Sequence, residues 1–117
     1  MHVSVIIPTY NRKHTLKRAI QSVYIQSLLP FEIIVVDDGS NDGTKEWVKQ
    51  KYPDIKYIYQ KNSGVSSARN RGIKYSCGDW IALLDSDDEW LPSKLEDQAK
   101  EIKLYPDIKL KIVVDGF

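Results

Sequence analysis

Three short apolar runs, Val3 to Ile7, Ile33 to Val36 and Ile81 to Leu84, are rich in Val, Ile or Leu, and each ends at a polar or turn residue. Their apolar character is continuous rather than alternating, as expected of strands buried on both faces of a helix-covered parallel sheet. A fourth run, Ile55 to Tyr59, alternates and reads as an edge strand. Between the runs lie helical patterns. Leu16, Ile20 and Val23 recur at i, i+4 and i+7 and predict a helix over about His14 to Gln26. Leu95, Ala99 and Ile102 repeat the pattern after Pro92, which suits a first helical turn. Thr44 to Gln50 is a shorter helix carrying Trp47 and Val48, and Ser66 to Tyr75 sets Ala68 and Gly72 on one face, so that helix can approach a sheet closely. Strand and helix thus alternate four times, with a last strand over Leu110 to Val114. That order predicts one α/β domain across residues 1–117: a three-layer, mostly parallel, Rossmann-like sheet of order about 3-2-1-4 with helices on both faces.

Composition narrows the partners. The 117 residues carry 17 Lys plus Arg against 16 Asp plus Glu, a net charge of +1, and no basic run is longer than Arg12-Lys13 or Lys17-Arg18. Such a chain has no field to steer nucleic acid, so nucleic-acid binding is not expected. The single cysteine, Cys77, makes no intrachain bridge and reads as a small residue near a turn, which fits a reducing compartment. No apolar stretch approaches the roughly 18 residues of a membrane span. A cytoplasmic location is expected, with peripheral membrane association or an oligomer left open.

Ligands of a doubly wound sheet sit beyond the carboxyl ends of its strands. There the chain has Pro8-Thr9-Tyr10-Asn11-Arg12 after the first strand, Asp37-Asp38-Gly39-Ser40 after the second and Asp85-Ser86-Asp87-Asp88 after the fourth. In the order 3-2-1-4 both acidic clusters face one cleft. Asp85 and Asp87, two apart, project to one side of extended chain, as two oxygen donors for one divalent cation should. Carboxylates without neighbouring thiolate or imidazole suit Mg²⁺ or Mn²⁺ rather than Zn²⁺, and such a cation neutralises a departing diphosphate. Asp88 and Glu89 immediately precede a helix and are expected to stabilise its N-terminus. No G-x-G-x-x-G follows the first strand, which disfavours a nicotinamide or flavin site. The calcium-loop-like Asp38, Ser40, Asp42, Gly43 fails at its twelfth position, Lys49. Neither G-x-S-x-G nor H-E-x-x-H occurs.

Four ordered stretches carry a resemblance: Val3 to Arg12 (VSVIIPTYNR), Glu32 to Thr44 (EIIVVDDGSNDGT), Asn62 to Gly72 (NSGVSSARNRG) and Gly78 to Asp88 (GDWIALLDSDD). Together they resemble the N-terminal half of a family-2 glycosyltransferase of GT-A fold over about residues 2 to 106. The resemblance implies a nucleotide-sugar donor, most often carrying UDP, and a Mn²⁺ or Mg²⁺ ion held by Asp85-Ser86-Asp87. Asp87 would ligate the metal, and Asp85 would contact the ribose or a metal-bound water. Asp38 would accept the imide N–H of uracil. Pro8, Thr9 and Tyr10 would line the base and ribose pocket, with Ser86 in the same set, while Tyr10 could equally be a core-edge aromatic. Asn62 and Arg69 would finish the nucleotide site, although the helix could also turn Arg69 to solvent or pair it with a loop carboxylate. Asp37 would hold its loop in place. Complete members continue into an acceptor-binding half with a carboxylate base, which this chain is expected to lack, so no catalytic base is assigned and the acceptor glycan stays unknown. The implied activity is sugar transfer to an acceptor hydroxyl in polysaccharide or cell-envelope glycan synthesis. Two alternatives remain: a nucleotide- or protein-binding domain without transfer, and a phosphatase-type Asp85/Asp87 pair.

Overall fold

β1 (Val3–Thr9) forms the centre of the sheet because both its faces are apolar: Val3, Val5 and Ile7 enter one buried cluster and Ile6 the other. In a computed structural model, which describes residues 2–102 and 113–114, β1 lies between β2 (Glu32–Asp37) and β4 (Trp80–Leu83). β3 (Lys56–Tyr59) and β5 (Val113–Val114) complete a parallel sheet of order β3-β2-β1-β4-β5. The expected order 3-2-1-4 and its helix-covered faces are therefore present. Of the last strand expected over 110–114, only β5 falls within the described residues.

The continuous apolar runs follow from this layering. Ile33, Val35, Trp80 and Ala82 face the cluster filled by Leu16, Ala19, Ile20 and Val23 of α1 (Lys13–Tyr24), Val48 of α2 (Thr44–Lys51) and Leu95 of α4 (Lys94–Ile102). Their neighbours Ile34, Val36 and Ile81 face Ala68 of α3 (Val65–Tyr75) on the other side. The small face of α3 is a packing requirement: a Cβ at Gly72 would lie 2.5 Å from Ile6 Cγ2. β3 is half-exposed, as an edge strand should be.

β1 runs two residues beyond its apolar pattern, through Pro8 and Thr9, despite the missing proline N–H. The pleat explains this. Ile6 C=O faces β4, where it accepts the Leu84 N–H at 3.0 Å. Pro8, two residues on, faces the same side, past the last β1–β4 pair of Ile6 with Leu83, so no ladder donor is missed. β1 and β4 part company at that point, which opens the end of the sheet.

The start of α4 differs from the sequence expectation. Pro92 lies in a turn closed by Lys94 N–H to Leu91 C=O at 3.0 Å, ahead of the helix rather than in its first turn. Asp88 and Glu89 do not cap α4: the Asp88 N–H closes a turn on Asp85 C=O at 3.0 Å, and the Glu89 carboxylate reaches Arg18 Nε at 3.8 Å. The capping position falls to Ser93, whose C=O accepts the Asp97 N–H at 2.8 Å and whose hydroxyl donates to the Asp97 carboxylate at 3.0 Å.

Candidate functional site

The turns after β1 and β2 are stitched together. Asn11, at φ 50°, donates its N–H to Ser40 Oγ at 2.7 Å and accepts the Asn41 N–H at 2.8 Å. Asp37 is fully buried and holds this region, accepting from Ser40 N–H at 2.8 Å and from the Tyr57 hydroxyl of β3. Burial first, then the bond to Asp37, raises the Tyr57 phenol pKa. Asp37 is thus a fastening group. At Gly39, φ +93° is compounded by closeness, since a Cβ there would stand 3.0 Å from the Asn62 backbone nitrogen.

Asp38 organises the approach to α3. One carboxylate oxygen accepts from Gln60 Nε2 and the Ser63 N–H, both at 2.8 Å. The other accepts from the Gly64 N–H at 2.9 Å and, more loosely, from Asn62 Nδ2 at 3.3 Å. Burial pushes the Asp38 carboxyl pKa up, but the bonds from Gln60, Ser63 and Gly64 outweigh it and leave the pKa below its ordinary value. Asp42 behaves alike: burial raises it, while bonds from Thr44 and the Lys13 N–H bring it below the ordinary value.

β4 delivers the second acidic cluster. Asp85, Asp87 and Asp88 each present a carboxylate oxygen, all within 4.8 Å of one another. An oxygen-only donor set of this charge fits a hard divalent cation such as Mg²⁺ or Mn²⁺. Two arginines balance the acids. Arg12 Nη1 lies 2.7 Å from Asp87 Oδ2, and Arg69 Nη2 lies 2.8 Å from Asp85 Oδ1. Arg18 secures the same loop through the Asp87 carbonyl at 3.2 Å.

These parts surround one open cavity of about 460 Å³, lined by Pro8, Thr9, Tyr10, Asp38, Asn62, Arg69, Asp85, Ser86 and Asp87, together with Arg12, Gly64, Val65 and Ala68. All nine residues singled out from the sequence therefore converge. Tyr10 is 48% exposed at the rim, not a core-edge aromatic. Arg69 pairs with the loop carboxylate while still lining the cavity. Sequence reasoning missed Asp88 as a member of the acidic triad and Arg12 as a site residue. The available signals were position alone: Asp88 adjoins the cluster after the fourth strand, and Arg12 ends the loop after the first. Two buried polar atoms beside the cavity, Thr9 Oγ1 and Arg69 Nε, have no hydrogen-bond partner among the described residues. Orphaned buried groups are costly to a fold. The size of the cavity suits a nucleotide-sized molecule.

Comparison with known proteins follows the same lines. The family model for glycosyl transferase family 2 matches residues 4–115. The chain is 48% identical over 100 residues to an uncharacterised glycosyltransferase of Rickettsia conorii, covering 84% of this chain and 17% of that protein. Among solved structures it resembles Staphylococcus aureus TarS 1–349 in complex with UDP, at TM-score 0.81 and 33% identity, over 91% of this chain and 33% of that one. A mannosyltransferase from Pyrobaculum calidifontis in complex with GDP-Man and Mn²⁺ matches at TM-score 0.71 and 28% identity, over 85% of this chain and 31% of that one. The chain thus spans well under half the length of each of these relatives.

Proposed function

The chain belongs to glycosyl transferase family 2, and on that premise we propose that its cavity binds the donor, a nucleoside diphosphate sugar carrying UDP, for transfer of the sugar to an acceptor hydroxyl. The observation that carries this reading is the convergence of Asp38 with Asp85 and Asp87, two members of the acidic triad, on one cavity. The UDP bound to TarS supports it.

Each residue then has a chemical task. Tyr10 offers a ring face on which the base stacks. The uracil imide N–H donates to Asp38 at the oxygen where the Asn62 amide is held most loosely, so the ligand exchanges in for that weak bond. Pro8 and Thr9 bound the ribose pocket. Arg69 and the N-terminus of α3 supply positive potential towards the diphosphate. Asp85, Asp87 and Asp88 would hold Mn²⁺ or Mg²⁺, with Ser86 between them. When bound, the cation would neutralise charge on the diphosphate leaving group. The Mn²⁺ in the mannosyltransferase structure supports this choice of ion. No residue of this chain is given the role of general base. Family membership supports a place in surface polysaccharide or cell-envelope glycan synthesis, and the exposed free thiol of Cys77 fits a reducing, cytoplasmic setting.

Titration calorimetry with UDP, with and without Mn²⁺, tests the reading. UDP is expected to bind more tightly with Mn²⁺, and Asp87→Ala is expected to remove that gain. No UDP binding by the native chain would overturn the nucleotide site, and an undiminished Mn²⁺ effect in Asp87→Ala would overturn the metal assignment.

A further inference from the structure

Resting on the metal reading above, we propose that Arg12 is a built-in counter-ion of the acidic triad: it occupies Asp87 until a divalent cation takes that carboxylate, and its guanidinium then turns to the anionic ligand of the same cavity. Arg12 would thereby couple cation binding to nucleotide binding.

Three observations carry this. The Arg12 guanidinium lies 2.7 Å from Asp87 Oδ2, on a carboxylate of the candidate cation set. Arg12 also lines the cavity beside Thr9, Tyr10 and Asp38, so release from Asp87 leaves it facing the ligand space. Finally, the pair is half-exposed, at 52% and 50%, and therefore weak enough to exchange. The Arg69–Asp85 pair is less exposed, at 34% and 44%, and α3 holds its arginine in place, so it is the fixed partner of the two. The loop does not depend on Arg12 for its position. Arg18 holds the Asp87 carbonyl and Glu89, and the Asp88 N–H closes its turn on Asp85.

A competitor removed from a ligand site raises affinity for the ligand, whereas a merely structural group would lower it. Arg12→Gln is therefore expected to bind Mn²⁺ alone roughly two- to fivefold more tightly than the native chain, the range set by an exposed ion pair. The affinity gained for UDP on saturation with Mn²⁺ should shrink in the same variant, because the released guanidinium is gone, and linkage requires the effect of UDP on Mn²⁺ affinity to shrink by the same factor. Free Mn²⁺ can be read by electron paramagnetic resonance and UDP by calorimetry, with Arg71→Gln as a control for net charge. Unchanged or weaker Mn²⁺ binding in Arg12→Gln, an equal rise in Arg71→Gln, or an undiminished Mn²⁺ effect on UDP would each overturn the proposal. If the native chain and both variants fail to bind Mn²⁺ at all, the metal site itself fails and the counter-ion role with it, an outcome distinct from native binding that Arg12→Gln leaves unaltered.

Discussion

Asp38 carries two demands at once. Its carboxylate stitches the segment from Gln60 to Gly64 onto the end of β2, and it faces the cavity. Because its folded pKa is depressed, its contribution to stability is fully present above the ordinary carboxylate value and is lost as pH falls through the depressed one. Asp38→Asn sets an amide against backbone N–H groups and should cost about 1–3 kcal/mol at pH 7. Urea unfolding measured between pH 7 and pH 3 is expected to show a shallower acid loss in the variant than in the native chain. Parallel curves would mean that the carboxylate charge contributes nothing to the fold. Asp42, shifted the same way, keeps part of the native slope in either protein. Side-chain identity alone did not disclose this dual use. An acid after a strand announces a turn or a ligand contact with equal force, and the deciding donors lie in a segment more than twenty residues away.

At the scale of elements, α3 sets how closely the cavity wall approaches the sheet. Gly72→Ala would bring a methyl group to 2.5 Å from Ile6 Cγ2 and 3.2 Å from Val36 Cγ2, both in the buried layer. Overpacking of this kind costs about 1–3 kcal/mol. The helix should lift and carry Gly64, Ala68 and Arg69 outward, so weaker UDP binding is expected alongside a lower unfolding midpoint. A variant as stable as the native chain would show that the layer repacks freely. The helix was legible in advance because small residues at i and i+4 make one face, and β1, β2 and β4 because runs without polar residues suit only a doubly covered sheet. The beginning of α4 was not. Proline favours a first helical turn and a preceding turn alike. Tertiary bonds decide between them here: Pro92 C=O accepts the Ser27 N–H at 2.8 Å, and Gln26 Oε1 accepts the Leu95 N–H at 3.0 Å. Arg12, the arginine partner of Asp87, escaped notice for a related reason, since it meets Asp87 only after β1 and β4 pair, whereas pairing of Arg69 with a loop carboxylate was among the expectations.

For the whole molecule, a ligand that binds only the folded chain raises its stability by mass action. UDP with Mn²⁺ at ten times the apparent Kd should add about 1.4 kcal/mol, a rise in unfolding midpoint on the order of 5 °C for a domain of this size. EDTA should reverse the part due to Mn²⁺. Equal midpoints with and without the ligands would mean that the cavity does not take them.

The position of β1 has a consequence for how the protein comes into being. It pairs on one side with β2, Val5 beside Ile33, and on the other with β4, Val3 beside Trp80. The first contact closes a short loop and the second a long one, so the β1–β4 edge should form late in folding, when loop entropy is most costly. During synthesis the Asp38 turn can take shape while β4 is still being made, but the acidic triad meets Arg12 and Thr9 only once that edge has closed. Ligand capture would therefore select chains that have completed their most distant pairing, and would stabilise the step most exposed to misassembly.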